Sequence, residues 1–503
     1  MCGILFCKSL KITSECFKNA SRMMSHRGPD NLGYYSFNEI KMSHNRLSII
    51  DLDKRSNQPF KIGNFYIVFN GEIYNYKELI KEHHLIVKTE SDTEVLLKMY
   101  IKYGSKCLKF LNGMFSFIIF NETTEDIFVA RDRLGIKPLY FYQKGEEIIF
   151  SSEISPIRSL KDVQVSEFSI RQYSKFRMTV NGDTLFDDVK FFPAGSYMES
   201  GKITKYWDLE ICEKPDPKDD DELDELIRQS INLRMRSDVP VSSYLSGGLD
   251  STIITAIARP KTSWTIGFDN LNEFEWSKLA GEDLKIGFNQ LCVTNKDFIK
   301  TADWMIKKRQ EPLSVPNEVL IYIMTKKARE SGYKVILSGE GADELFWGYD
   351  RIFRWANEQK ELTVEGFENK YCYGSKRDLD IVDYALSCLP KGSPVEKVGY
   401  YFQITHLHGL LRRVDNSTML CSVEARVPFV DHNLVEYMNG RSFNYRMGSS
   451  FKEPLKRIFK NEIPKAIIDR PKIGFPVPLN SIFNTGELKT GFDEWFKFNL
   501  ERI

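Results

Sequence analysis

Val239-Pro-Val-Ser-Ser-Tyr-Leu-Ser-Gly-Gly-Leu-Asp-Ser-Thr-Ile-Ile-Thr-Ala-Ile-Ala258 reads as a strand, a glycine turn and a helix in direct succession. Residues 239–245 are a short apolar run of the kind that forms a buried strand. Residues 252–258 are apolar on most sides, as in a buried helix. The turn between them, Ser246-Gly-Gly-Leu-Asp-Ser251, leaves backbone N–H groups pointing outward at a helix N-terminus. Partial positive charge there favours a phosphate. The Gly-Lys-Ser/Thr pair of a Walker loop is absent.

Outward from this stretch, Ser263-Trp-Thr-Ile-Gly-Phe268 reads as a second strand. Lys334-Val-Ile-Leu337 reads as a third and leads into another glycine turn, Ser338-Gly-Glu-Gly-Ala-Asp-Glu344. Strands alternating with helices predict an α/β domain with a parallel sheet. Residues 351–440 read as mostly helical.

The N-terminal half has a different texture. Asn64-Phe-Tyr-Ile-Val-Phe69 is a strand run ending at Asn70-Gly71, a turn signal. Residues 115–120 and 127–130 are two more runs across a polar loop, which predicts a hairpin. Residues 139–142 and 148–150 continue the pattern around Lys144-Gly145. This half is expected to be sheet-dominated with a few helices. Between the halves, Glu213-Lys-Pro-Asp-Pro-Lys-Asp-Asp-Asp-Glu222 carries two prolines and an acidic run and reads as a solvated linker. Leu223, Leu226, Ile227 and Ile231 then fall on one helical face.

The chain has 503 residues, room for about two to four domains. Its 70 Lys+Arg and 69 Asp+Glu leave a net charge of +1, so no electrostatic case exists for a nucleic-acid or membrane partner. No apolar run approaches the roughly 18 residues of a spanning helix, and the N-terminus lacks a basic region and cleavage site. A cytoplasmic location is the expectation. Nine cysteines without a Cys-x-x-Cys pair, and seven histidines without metal-ligand spacing, give no reason to expect a zinc site.

Cys2 stands where trimming of Met1 would expose it. The product would carry a thiol and an α-amine on one residue, and an amine with a pKa of about 7.7–8.0 can serve as base for its own thiol. By itself Cys2 reads more readily as a buried core cysteine near a chain start. Its company changes that. Met1-Cys-Gly-Ile4, His26-Arg-Gly-Pro-Asp30, His44-Asn-Arg-Leu-Ser-Ile-Ile-Asp51, Phe69-Asn-Gly-Glu-Ile-Tyr-Asn75, Ser91-Asp-Thr-Glu94 and Arg131-Asp-Arg-Leu-Gly-Ile-Lys-Pro-Leu-Tyr140 occur in this order. Together they resemble the class II glutamine amidotransferase domain, an α+β N-terminal-nucleophile hydrolase fold of layered antiparallel sheets with helices. The resemblance implies that Cys2 attacks glutamine. Asn70 and the Gly71 N–H would form the oxyanion hole. Arg46 would hold the glutamine carboxylate and Asp92, with Glu72, its ammonium.

The second half, with Ser246–Ser251, Ser338–Glu344, Ser422-Val-Glu-Ala-Arg-Val-Pro-Phe-Val-Asp431 and Arg470-Pro-Lys-Ile-Gly-Phe-Pro-Val-Pro478, resembles the ATP-pyrophosphatase-type domain of asparagine synthetases. That implies ATP binding by Leu245, Ser246, Gly247, Gly248, Asp250, Ser251, Gly267, Phe268, Ser338, Gly339 and Lys452. It also implies Mg²⁺ held by Asp250 and Asp343, and Glu340 taking the proton from ammonia. The implied organisation is a glutaminase domain at 2–207, a linker at 208–222 and an α/β amidation domain at 223–503. Ammonia would pass through an internal tunnel, and a homodimer is a family expectation.

One departure concerns the acceptor. The family usually shows Phe-Gly-Gly-Tyr after the second turn, where this chain has Phe346-Trp-Gly-Tyr349. The indole either enters the acceptor pocket or turns outward to pack on a helix. Arg309-Gln-Glu-Pro-Leu-Ser-Val-Pro-Asn317 matches no aspartate site. Aspartate is the default acceptor, and a sugar uronate or a natural-product acid the alternative. A β-lactam-synthetase-like cyclase and an inactive binding protein are further readings. The retained Cys2, Arg46, Asn70, Gly71 and Asp92 count against the first, and the intact glycine turns against the second.

Overall fold

The computed structural model describes all residues except 1, 472, 473, 476 and 486–489. The N-terminal part is built on two six-stranded antiparallel sheets. One has the order β10-β8-β9-β1-β3-β2, from Val189–Phe191, Tyr140–Lys144, Glu147–Ser151, Gly3–Lys8, Ile40–Arg46 and Asn31–Phe37. The other has the order β12-β11-β7-β6-β5-β4, from Lys202–Lys205, Ser196–Glu199, Ile127–Arg131, Gly113–Asn121, Phe65–Ile73 and Phe60–Ile62.

The period-2 alternation of these strands explains the layering. In β1, Ile4 and Phe6 point to the cluster between the sheets, while Leu5 and Cys7 point to the opposite face. In β5, Tyr66 and Val68 meet them from the other sheet, while Ile67 and Phe69 face away. Helices cover both outer faces. Phe17 and Ala20 of the helix Ser14–Arg22 cover the first sheet, and Val95, Leu96 and Met99 of the helix Asp92–Tyr103 cover the second. The result is a helix–sheet–sheet–helix arrangement, which agrees with the layered antiparallel sheets with helices that the resemblance implied.

Asn70-Gly71 is not a turn. Both residues lie inside β5, paired with Ser116 and Phe115 of β6. The glycine serves close packing: its φ is +155°, and a Cβ there would stand 2.0 Å from the Met114 carbonyl oxygen.

The C-terminal part carries a five-stranded parallel sheet, β15-β14-β13-β16-β17, from Gly287–Val293, Thr262–Phe268, Val241–Tyr244, Val335–Leu337 and Glu424–Arg426. β13, β14 and β16 are the three strands expected from their apolar runs. β15 and β17 are too polar to have been legible. The chain runs from β13 out to β15, then returns to start β16 on the other side of β13. The order reverses between β13 and β16, and ligands of open parallel sheets bind beyond the carboxyl ends of the strands at such a point. Both glycine turns leave the sheet there.

Residues 351–440 are mostly helical, as expected, with β17 as the exception. Trp347 packs within this region. It is 4 % exposed, stacks on Phe353 with ring centroids 4.9 Å apart, and lies under the Arg446 guanidinium at 4.6 Å. Of the two placements open to the indole, packing on a helix holds, but the ring is buried rather than turned to solvent. Its φ of +53° is left-handed, a position that suits glycine. Such backbone costs roughly 1–3 kcal/mol, which burial of the ring offsets.

The acidic stretch before the C-terminal part is not a free solvated linker. Asp216 accepts hydrogen bonds from the Ser442 N–H and O–H, and Asp220 from the Tyr445 hydroxyl and the Arg457 guanidinium. The Lys214 N–H donates to the Gly440 carbonyl. These partners lie more than 200 residues away in sequence, so nothing local announces them. Among the described residues, no helix is long and apolar enough to cross a membrane.

Candidate active site

Cys2 precedes β1 and is buried between the two antiparallel sheets' ends. Its backbone N–H donates to Asn70 Oδ1 at 3.0 Å. That nitrogen is the atom that would become the α-amine, although Met1 itself lies outside the described residues. Asn70 is fully buried on β5, and among the described residues its Nδ2 has no hydrogen-bond partner. A buried amide N–H₂ without a partner is costly unless a ligand oxygen completes it. Burial pushes the Cys2 thiol above its ordinary pKa.

Arg46 ends β3 and is buried. Its Nη1 donates to the Asp53 carbonyl and to Asn57 Oδ1, each at 2.8 Å, and its Nη2 to the Asp51 carbonyl. The guanidinium thereby fixes the loop that follows β3. Glu72 and Asp92 approach from β5 and from the helix Asp92–Tyr103, whose first turn is anchored by the Ile73 N–H donating to Asp92 Oδ2 at 2.9 Å. Burial raises both carboxyl groups, and Glu424 adds to the rise in each. Asp92 reaches about 7. Two neighbouring carboxyls held this way gain from a cationic ligand.

The second cluster forms at the carboxyl ends of β13 and β16. After β13, Gly247 adopts φ +72°, and a Cβ there would lie 2.3 Å from the Trp276 backbone, so both conformation and close approach call for glycine. The Ser246 hydroxyl accepts from the Gly248 N–H at 3.2 Å and lies 3.2 Å from the Ser251 hydroxyl. The helix Leu249–Ala258 starts at once, which puts Asp250 in its first turn. The turn after β16 lies against it: a Cβ on Gly339 would come 3.2 Å from Asp250 Cβ. Lys452 bridges the two turns. Its Nζ is 2.5 Å from Asp250 Oδ2 and 2.6 Å from Asp343 Oδ1. Burial opposes the Lys452 ammonium, but the two carboxylates outweigh it and hold its pKa above the lysine range. Gly348 is required for this contact, since a Cβ there would stand 1.9 Å from Asp343 Oδ1.

Gly267 and Phe268 close β14, and the Phe268 carbonyl accepts from Asn272 Nδ2 at 2.9 Å. Leu245 is buried and donates to the Trp264 carbonyl, while Ser338 donates to the Arg426 carbonyl. Arg470 reaches the Gly247 carbonyl at 3.1 Å and Glu273 at 2.5 Å. Of the stretch that follows it, residues 472, 473 and 476 lie outside the described residues. Glu340 pairs with Arg413 at 2.5 Å, and Arg413 also donates to Asn317 Oδ1 at 3.2 Å.

These elements agree with the comparisons. The glutamine amidotransferase domain family matches residues 1–207, and the asparagine synthase family matches residues 222–499, more than half of the chain. The chain belongs to the asparagine synthase family. Glutamine-hydrolysing asparagine synthetase 1 of Bacillus subtilis is 29 % identical over 96 % of this chain and 86 % of its own length. Asparagine synthetase B of Escherichia coli is 28 % identical over 94 % of this chain and 82 % of its own. A Gibberella zeae protein named amidase chry2 is 27 % identical over 83 % of this chain and 77 % of its own. As a member of this family the chain is a ligase that uses glutamine.

This asparagine synthase family member holds its two clusters together through residues the sequence did not single out. Arg27 is fully buried. Its Nε donates to the Cys2 carbonyl at 3.0 Å, its Nη1 to Glu153 at 3.2 Å and its Nη2 to Asp415 at 2.9 Å. Asp415 sits on the helix Leu407–Met419, which also carries Arg413 to Glu340. Arg426 on β17 pairs with Glu424 at 2.5 Å and reaches Glu72 at 3.5 Å, so the parallel sheet contributes to the pocket beside Asp92. Arg27 and Arg426 did lie inside segments quoted for the resemblance, but nothing in their spacing indicates what they touch.

Proposed function

We propose that the chain uses ATP to activate a carboxylate, forming AMP and pyrophosphate, and amidates it with ammonia released from glutamine at Cys2. The convergence of Asp250 and Asp343 on Lys452, at the reversal point between β13 and β16, carries this reading. Two carboxylates and a buried ammonium at the mouth of two glycine turns suit a nucleotide triphosphate.

Mg²⁺ fits the same place. The two carboxylates already close on one cation, and Mg²⁺ is bound by one or two carboxylates together with substrate phosphates. Asp250 and Asp343 would hold it, and it would supply charge neutralisation on the phosphates. Lys452 would then shift from the carboxylates to phosphate oxygen. Glu340, freed from Arg413, would take the proton that ammonia loses on becoming an amide.

In the N-terminal part, Cys2 Sγ would attack the glutamine amide carbon, with Asn70 Nδ2 and the Gly71 N–H receiving the oxyanion. Arg46, Glu72 and Asp92 would bind the amino-acid end of glutamine. Aspartate is the first acceptor to test. The relatives named asparagine synthetases support it, and a relative of similar identity with another name keeps a uronate or another acid in view. The test is pyrophosphate release with ammonium and ATP over a carboxylate series, aspartate first and sugar uronates next. No release with any of them would overturn the ATP reading.

A pH dependence follows from Asp92. Its carboxyl is raised, so it becomes protonated as pH falls through about 7. The glutamine ammonium then loses its partner. KM for glutamine is expected to rise toward acid by up to about tenfold per pH unit for one linked proton. Asp92→Asn should give a high KM with a flat profile. A wild-type KM constant from pH 5.5 to about 8 would remove Asp92 from glutamine binding.

A further inference from the structure

We propose that the segment joining the two halves is a strap that positions Lys452, with Asp220 as its clasp. The strap acts on the ammonium that closes between Asp250 and Asp343, so its consequence for catalysis rests on the reading of that place as the ATP site.

Lys452 depends on support from outside its own segment. It takes a left-handed φ of +55° as the N-cap of the helix Glu453–Phe459. The helix before it, Phe443–Arg446, has only four residues. Both fall short of the roughly 12–15 residues at which a helix begins to hold itself in water. Tertiary contacts must therefore set where the lysine lies. Leu455 and Phe459 are fully buried and fix the second helix from the core side. The lysine stem runs against Gly348, where a Cβ would stand 2.4 Å from Lys452 Cε. On the outer side the contacts come from the strap.

Asp220 touches both helices. Its Oδ1 accepts from the Tyr445 hydroxyl at 2.8 Å and from Arg457 Nη2 at 3.0 Å, and its Oδ2 from Arg457 Nε at 2.9 Å. Tyr445 precedes Lys452 and Arg457 follows it, so one carboxylate draws together the two ends of the segment that carries the lysine. The Arg457 guanidinium also lies over the Tyr445 ring at 5.3 Å. Earlier on the strap, Asp216 accepts from the Ser442 N–H at 2.9 Å and its hydroxyl at 2.5 Å, and Ser442 caps the first helix. The Pro215 carbonyl accepts from Arg441, and Trp207 Nε1 donates to Glu436 at 2.7 Å. Pro215 and Pro217 stiffen the strap, which lowers the entropy lost in ordering it.

The Asp220 and Arg457 side chains are 19 % and 40 % exposed, so their ion pair adds little to stability. Its effect is geometric. Lys452 Nζ meets Asp250 at 2.5 Å and Asp343 at 2.6 Å, and a misplacement of about 1 Å in such a site can cost about 100-fold in rate.

Asp220→Ala should lower pyrophosphate release with ammonium and ATP by about 10–100-fold and leave glutamate release unchanged. Asp220→Glu, which keeps the carboxylate, should recover most of the activity, and Arg457→Gln should reproduce the loss. A cycle with Lys452→Met separates positioning from plain stabilisation. In that background Asp220→Ala should cost less than about twofold, because the group it positions is gone. The full loss repeated in the double variant overturns the proposal, as does wild-type release in Asp220→Ala. A second readout needs no turnover. Amine labelling of Lys452, read by mass spectrometry, should rise about tenfold in Asp220→Ala. Labelling of the buried Lys41 and Lys137, with thermal unfolding, checks that the variant is folded. Lys452 labelling equal to wild type overturns the proposal. If wild type releases no pyrophosphate with any acceptor, the ATP reading has failed. The labelling comparison then decides the strap, as it does if Lys452→Met is too slow to measure.

Discussion

Replacing Cys2 with alanine is expected to abolish glutamate release from glutamine, by about 10⁴-fold or more, while ammonium-driven synthesis continues within about twofold. The large effect follows from covalent chemistry. Without Sγ no thioester would form, and Asn70 Nδ2 and the Gly71 N–H would be left without the oxyanion they are proposed to stabilise. The small effect follows from position. Arg27 contacts the Cys2 backbone carbonyl, not its thiol, so the contact with Glu153 and Asp415 survives the substitution. Coupled assays of glutamate and of pyrophosphate, each with glutamine and with ammonium, separate the two half-reactions. Glutamine-dependent synthesis left intact in Cys2→Ala would show that the nucleophile lies elsewhere.

The second large effect is expected at Asp250 and Asp343. Asn at either position should lower pyrophosphate release at least about 10³-fold with both nitrogen sources and spare glutamate release. An amide keeps the size of the carboxylate but not its charge, and the proposed ATP site would have to balance Lys452 and polyphosphate together. Lys452 is only 3 % exposed, so each variant leaves its ammonium with one carboxylate instead of two. Asp250 and Asp343 are themselves about a fifth exposed, at 19 % and 23 %, so solvent limits the cost in stability to about 1–2 kcal/mol. A loss of activity far beyond any loss of stability in thermal unfolding is therefore the expected signature. Unchanged pyrophosphate release in both variants would remove the two carboxylates from the ATP site.

Much of this was legible because it is local. Short apolar runs bounded by polar loops marked β5, β6 and β7, and a strand meeting a helix through glycines marked both turns of the parallel sheet. β15, Gly-Phe-Asn-Gln-Leu-Cys-Val, carries too little apolar periodicity to be read, and it forms because β14 pairs with it along seven residues. Asn70-Gly71 was misleading as structure. The same dipeptide that signals a turn is held straight by β6, and the missing Cβ serves close approach.

The sequence by itself determined the two chemistries: a thiol at position 2 with its companions, and two glycine turns set after strands. Only the tertiary structure decided what meets what. Lys452 closes on carboxylates 202 and 109 residues away, and Arg27 crosses 388 residues to Asp415. It also decided that Trp347 is buried against Phe353 and that the acidic stretch is tied to Ser442, Tyr445 and Arg457. The physical reason is range. Backbone propensity and hydrophobic period act over a few residues, whereas counter-ions and packing partners are assigned when the layers close, and no spacing along the chain records that choice.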